Sequence, residues 1–162
     1  MTNIRLAVPA DAAELARMRY EFRSALGRAS EAEGEFTERC AAWMRERLVD
    51  GSPWSCWVLE AEGAVCGQLW LQLIEKVPNP VPELELHGYI TNIYVRPAAR
   101  GDGAGRMLLE AALAYCRQHH VDSVILWPTD RSRTLYARHG FAVRDDIMEA
   151  VLDPARDLHG LA

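Results

Sequence analysis

The chain has 162 residues, of which 49% are hydrophobic and 25% charged, and it carries a formal net charge of −5 at pH 7. This length suits one domain whose folding would remove roughly two-thirds of the unfolded surface from water, and the composition excludes disorder as the dominant state. The acidic balance argues against a nucleic-acid partner, whose phosphates require a basic face.

The N-terminal residues Met1 to Leu6 contain no apolar signal-like region, and no run approaches the roughly 18 uncharged apolar residues of a membrane span, so a cytoplasmic protein without a membrane partner is expected. Asn3 to Val8 can form a strand. Pro9-Ala10-Asp11 then opens a helix to about Phe22, because Pro and Asp both suit the free N–H groups at a helix start. Gly27 to Gly34 reads as a short polar loop, and Phe36 to Val49 as a second helix that stops before Asp50-Gly51-Ser52-Pro53. Trp54 to Glu60 and Val65 to Ile74 form a hairpin around Glu62-Gly63. Pro78, Pro80 and Pro82 cannot donate ladder hydrogen bonds, which makes Lys76 to Glu83 an extended loop.

Leu84 to Val95 is the next strand, followed by a glycine-containing turn and a helix from Arg106 to His119. Val121 to Trp127 forms another strand, then a short helix ends near His139 with Gly140 as its cap, and two last strands flank Asp145-Asp146. The order βααβββαβαββ predicts an α/β layer structure of about seven strands and about four helices. Cys40, Cys56, Cys66 and Cys116 lack CxxC spacing and His119-His120 adjoins no cysteine pair, so reduced thiols and no metal centre are expected. Trp43, Trp54, Trp57 and Trp70 read as packing groups rather than as the walls of an acceptor pocket.

The stretch with the most chemistry is Arg100-Gly101-Asp102-Gly103-Ala104-Gly105, which joins a strand to a helix. Unpaired N–H groups and the positive end of the helix dipole meet there, and glycines allow a phosphate close to the main chain. The dinucleotide fingerprint GxGxxG, started at Gly101 and Gly103, would need glycine where Arg106 stands, and no GK pair follows for a Walker A loop. What fits is Arg/Gln-x-x-Gly-x-Gly/Ala, with Arg100, Gly103 and Gly105 in the fixed places. This resembles the pyrophosphate-binding loop of the GNAT superfamily of acyl-CoA-dependent N-acyltransferases. Leu135-Tyr136-Ala137-Arg138-His139-Gly140-Phe141 is similar to the LYxxxGF segment of the same family. Ile4-Arg5 with Asp11, and Met148 to Leu152, resemble its first and last elements, so that the likeness covers residues 1–162 as one GNAT domain with a mostly antiparallel mixed sheet.

The resemblance implies acetyl-CoA, or another acyl-CoA, as co-substrate between the Leu84 to Val95 and Val121 to Trp127 strands. It places the pyrophosphate on Gly101, Asp102, Gly103, Ala104, Gly105 and Arg106, with added charge from Arg100, and the pantetheine arm along Ile93, Tyr94 and Val95. Thr129 and Ser132 stand where many relatives carry an asparagine that touches pantetheine. Tyr136 matches the tyrosine that protonates the departing thiolate, and a phenol of ordinary pKa about 10 holds its proton at neutral pH. An amine acceptor of pKa about 10.4 is less than about 0.1% neutral at pH 7, so a base is also needed. Glu85, His87 and Tyr89 alternate along one strand, with His87 the first candidate and Glu85 the second. The resulting expectation is direct acetyl transfer to a primary amine in a ternary complex, with a catalytically silent acyl-CoA sensor and a nicotinamide-dependent oxidoreductase as the alternatives. The loops at Gly27 to Gly34 and Lys76 to Glu83 are expected to border the acceptor pocket, and a homodimer stays open.

Overall fold

A computed structural model describes residues 2–153 of the chain, which divides after Ile125 into two compact units. The first unit holds a five-stranded sheet in the order β1-β2-β3-β4-β5, formed by β1 (Thr2–Leu6), β2 (Trp54–Ala61), β3 (Ala64–Glu75), β4 (Leu86–Val95) and β5 (Val121–Ile125). The first four strands pair antiparallel, and β4 pairs parallel with β5. The β2–β3 hairpin turns through Glu62 and Gly63, with φ of 53° and 79°, the two positive values that match the twist of an antiparallel pair.

Helices α1 (Ala12–Ala25) and α2 (Glu33–Arg47) cover one face of this sheet. Leu15, Ala16, Ala41 and Met44 pack there against Cys56, Val58 and Trp70. The α1 start is fixed by Asp11, whose carboxylate accepts from the Val8 N–H (2.8 Å) and from the Arg5 guanidinium (2.8 and 2.9 Å). Gln68 is fully buried, yet its amide donates to the Leu15 carbonyl (3.0 Å) and accepts from the Trp70 indole (2.9 Å), so no polar atom is stranded. Trp43, Trp54 and Trp70 form one aromatic cluster with centroids 5.3–6.2 Å apart.

Helix α3 (Ala104–Gln118) covers the opposite face. It lies so close that a Cβ on Gly67 would stand 3.3 Å from Leu108, and one on Gly88 would stand 3.6 Å from the Cys116 sulfur. Leu108, Leu109 and Ala112 are fully buried. Among the described residues no helix is long and apolar enough to cross a membrane.

In the second unit, a short helix α4 (Arg133–Ala137) ends in a turn closed by Gly140 at φ 86°. The two strands expected around Asp145-Asp146 are not formed: the described residues from 141 to 153 contain neither strand nor helix, and the sheet has five strands instead of about seven. Val143, Met148 and Leu152 are 88–95% exposed, so ordering them as strands would gain little burial against the entropy it costs. Two other boundaries move inward. β4 begins at Leu86 instead of Leu84, and β5 stops at Ile125 before Pro128, which has no N–H to extend a ladder.

Candidate functional site

Between β4 and α3 the backbone makes three successive residues of positive φ, Gly101 (101°), Asp102 (45°) and Gly103 (78°). Gly103 is the N-cap of α3 and has no side chain to close the helix end. The Ala104 N–H is taken by the Gly101 carbonyl (3.1 Å), and the regular helical pattern starts with Met107 donating to Gly103 (2.9 Å). The amides of Gly105 and Arg106 thus lie in a first turn that has no carbonyl four residues back within the helix. A Cβ on Gly103 would meet the Arg106 guanidinium at 3.1 Å, so Arg106 folds back over the turn, where it also pairs with Glu110 (3.2 Å). Arg100 turns the other way, donating to the Val95 carbonyl (2.9 Å) with its guanidinium 5.9 Å from the centre of the Tyr94 ring. The arrangement is an electropositive concavity of main-chain donors flanked by two exposed arginines.

Strand β4 leads into this turn through an irregularity. Gln68 on β3 pairs with Tyr94, but Trp70 pairs with Thr91, so Asn92 and Ile93 together oppose Leu69. Asn92 takes the left-handed conformation, φ 53°, that asparagine tolerates best among residues with a side chain. The extra residue reverses the alternation of faces. Before it, Gly88 faces α3 and Thr91 lies across from Trp70 on the α1/α2 side. After it, Tyr94 stacks on Phe22 of α1 (5.3 Å) and Val95 faces Leu108 near Gly67. On the other edge, pairing of β4 with β5 ends at Tyr89 opposite Ile125. Among the described residues no strand continues it, which leaves the β5-facing edge at Ile93, Tyr94 and Val95 open beside the turn.

His87 and Tyr89 share the α1/α2 side of β4, and the His87 Nδ1 is 2.7 Å from the Ser123 hydroxyl on β5. Glu85 does not join that alternation, since it precedes the strand and is exposed, with its carbonyl accepting from Lys76 (2.8 Å). In the second unit Tyr136 is 5% exposed, edge-on to Phe141 (5.6 Å). Burial pushes its phenol up to about 12, against a smaller lowering by a hydrogen bond with Ser132. Thr129 and Ser132 bond each other (3.0 Å) and close a local turn through the Thr129 carbonyl (2.9 Å).

A pocket of about 160 Å³ opens where α1 passes through its connection into α2. It is lined by Arg19, Arg23 and Arg28 together with Tyr20, Glu31 and Phe36. Arg19 also donates to the Asn92 side chain (3.2 Å), which ties the pocket to the irregular part of β4. The expected acceptor-bordering loop supplies Arg28 to Glu31, whereas the Lys76 to Glu83 segment is not among the lining residues. No local motif marks these arginines. The four-residue spacing of Arg19 and Arg23, which puts both on one helix face, is the one available signal.

The sequence profile of the Acetyltransferase (GNAT) family matches residues 15–141. By sequence alone no curated protein matches the chain. Among solved structures, the chain is similar to a GCN5-related N-acetyltransferase from Ralstonia eutropha JMP134, with 28% identity, a TM-score of 0.77 and coverage of 93% of this chain and 99% of that one. It also shares its fold with a predicted acetyltransferase from Clostridium acetobutylicum whose structure includes acetyl-CoA, at 21% identity, a TM-score of 0.79 and coverage of 94% and 97%.

Proposed function

The chain belongs to the GNAT acetyltransferase family, and we propose that it transfers the acetyl group of acetyl-CoA to a primary amine by direct attack in a ternary complex. The observation that carries this reading is the uncapped start of α3, where the amides of Gly105 and Arg106 follow three residues of positive φ. Main-chain donors in that arrangement suit a pyrophosphate, and a Cβ on Gly103 would crowd the cradle. Gly101, Asp102, Gly103, Ala104, Gly105 and Arg106 hold the pyrophosphate, with Arg100 adding charge. The open edge of β4 at Ile93, Tyr94 and Val95 supports the pantetheine arm, and Thr129 with Ser132 supports its outer part. An N–H beside the Asn92 irregularity polarises the thioester carbonyl.

His87, with Glu85 second, takes a proton from the acceptor ammonium. The amine nitrogen then bonds to the carbonyl carbon, the carbon–sulfur bond breaks, and Tyr136 gives its proton to the departing thiolate before regaining one from solvent. A phenol pushed up to about 12 remains protonated throughout the neutral range. Amine-dependent release of free CoA thiol, measured beside acetyl-CoA calorimetry, tests the proposal. Binding with release that depends on the amine upholds it. Binding without release for any amine favours the silent sensor, a reading supported by the Ser123 contact that engages one His87 nitrogen; absence of binding overturns both.

A further inference from the structure

We propose that the acceptor carries an anionic group, a carboxylate or a phosphate, which Arg19, Arg23 and Arg28 hold in the pocket between α1 and the start of α2. The inference rests on the acetyltransferase reading and specifies its second substrate. Three guanidinium groups line one space of about 160 Å³, a size suited to a small headgroup. Glu31, the carboxylate among the described lining residues, is clasped by Arg39 through both oxygens at 2.7 Å, so it contributes little to balancing them. Planar guanidinium forks match the oxygens of carboxylates and phosphates in pairs, as a hydroxyl or an amide on the ligand would not.

Local electrostatics agree with that geometry. Burial lowers the pKa of Arg19, and the like charge of Arg23 lowers it further; Arg23 is lowered in turn by burial and by Arg28. Positive charges have therefore been gathered out of water, in a chain whose net charge is −5. A bound anion relieves both costs at once. Position supplies the link to catalysis. Arg19 reaches Asn92, the residue preceding Ile93 to Val95, and the pocket lies on the α1/α2 side, which His87 and Tyr89 share. An anion held there leaves the amine of the same molecule to project along that face toward the reacting end of β4. Tyr20 and Phe36, with ring centres 5.7 Å apart, add apolar wall for a short carbon linker.

Acetyl transfer is measured with two matched pairs of acceptors, phosphoethanolamine against ethanolamine and a set of amino acids against their amides. In at least one pair the charged member is expected to have kcat/KM about 10- to 100-fold above its neutral partner, the range of one charge-assisted hydrogen bond. The pair that shows the preference identifies phosphate or carboxylate as the source of the anion. In Arg23→Gln and Arg28→Gln that preference falls at least about tenfold, chiefly through KM, and acetyl-CoA affinity in the same samples reports that each variant is folded. No preference in either pair, or a preference that both variants keep, overturns the proposal. If acetyl-CoA binds but no amine is acetylated, the transferase reading fails and the pocket is judged by direct calorimetry with phosphoethanolamine and amino acids. Binding that both variants weaken upholds the anion site, and absence of binding removes it.

Discussion

The turn ahead of α3 and the pocket beside α1 both gather positive potential, but they gather it from different parts of the chain. In the turn the donors are main-chain amides, held by three positive φ angles and a helix start with no side-chain cap. In the pocket the donors are guanidinium groups that come from one helix and from the loop after it. Amides offer fixed geometry without choice of partner, which fits a cofactor common to a whole family. Arginines can be exchanged one at a time, which fits the part of a site that selects one acceptor from many. The same fold thus keeps one anion site constant and leaves the other open to change.

The largest expected effect separates chemistry from both binding regions. Tyr136→Phe should lower kcat about 10²- to 10⁴-fold, the range of a general acid, while calorimetry shows acetyl-CoA affinity unaltered; full turnover between pH 7 and 9 would remove Tyr136 from the mechanism. Next, Gly103→Val places a β-branched side chain at φ 78° and against Arg106. Strain of that kind should weaken acetyl-CoA binding about 100-fold while the circular dichroism spectrum stays that of the parent. Were Gly103→Val to weaken the response to anionic amines instead, the division of labour between the two regions would be wrong.

The smallest effect concerns the helix that carries the turn. Burial pushes the Cys116 thiol up to about 11, so the folded chain keeps a proton that the unfolded chain releases near pH 9. Stability from this group is complete below pH 9 and declines as pH rises toward 11, by about 2–3 kcal/mol in all. Urea melts at pH 8 and 10.5 should show that decline, and Cys116→Ala should make it shallower; an equal slope in the variant would contradict the assignment.

What could be read from the sequence follows from how local each feature is. Gly101 and Gly103 announce the turn because few other residues accept their backbone angles, and Glu62-Gly63 announces the hairpin for the same reason. Helix α3 was legible from its apolar face, which becomes the buried set Leu108, Leu109 and Ala112. Asn92 carries no comparable signal, since neither glycine nor proline marks the extra residue of β4. Glu85 seemed to belong with His87 and Tyr89 because alternation says nothing about where a strand begins. The region after Phe141 has strand-like residues, and only pairing with a neighbour would have made strands of them. Convergence of Arg19, Arg23 and Arg28 depends on how the α1–α2 connection folds back, which no spacing encodes.

The doubled residue opposite Leu69 makes β4 tolerant of a changed letter but intolerant of a changed length. Dropping Asn92 would restore a regular pleat and exchange inside for outside in everything that follows it. Tyr94 would be driven toward Leu108, Val95 would be left against Phe22, and Arg19 would lose its tether. Any chimera that grafts this strand between relatives must therefore conserve its residue count before its composition.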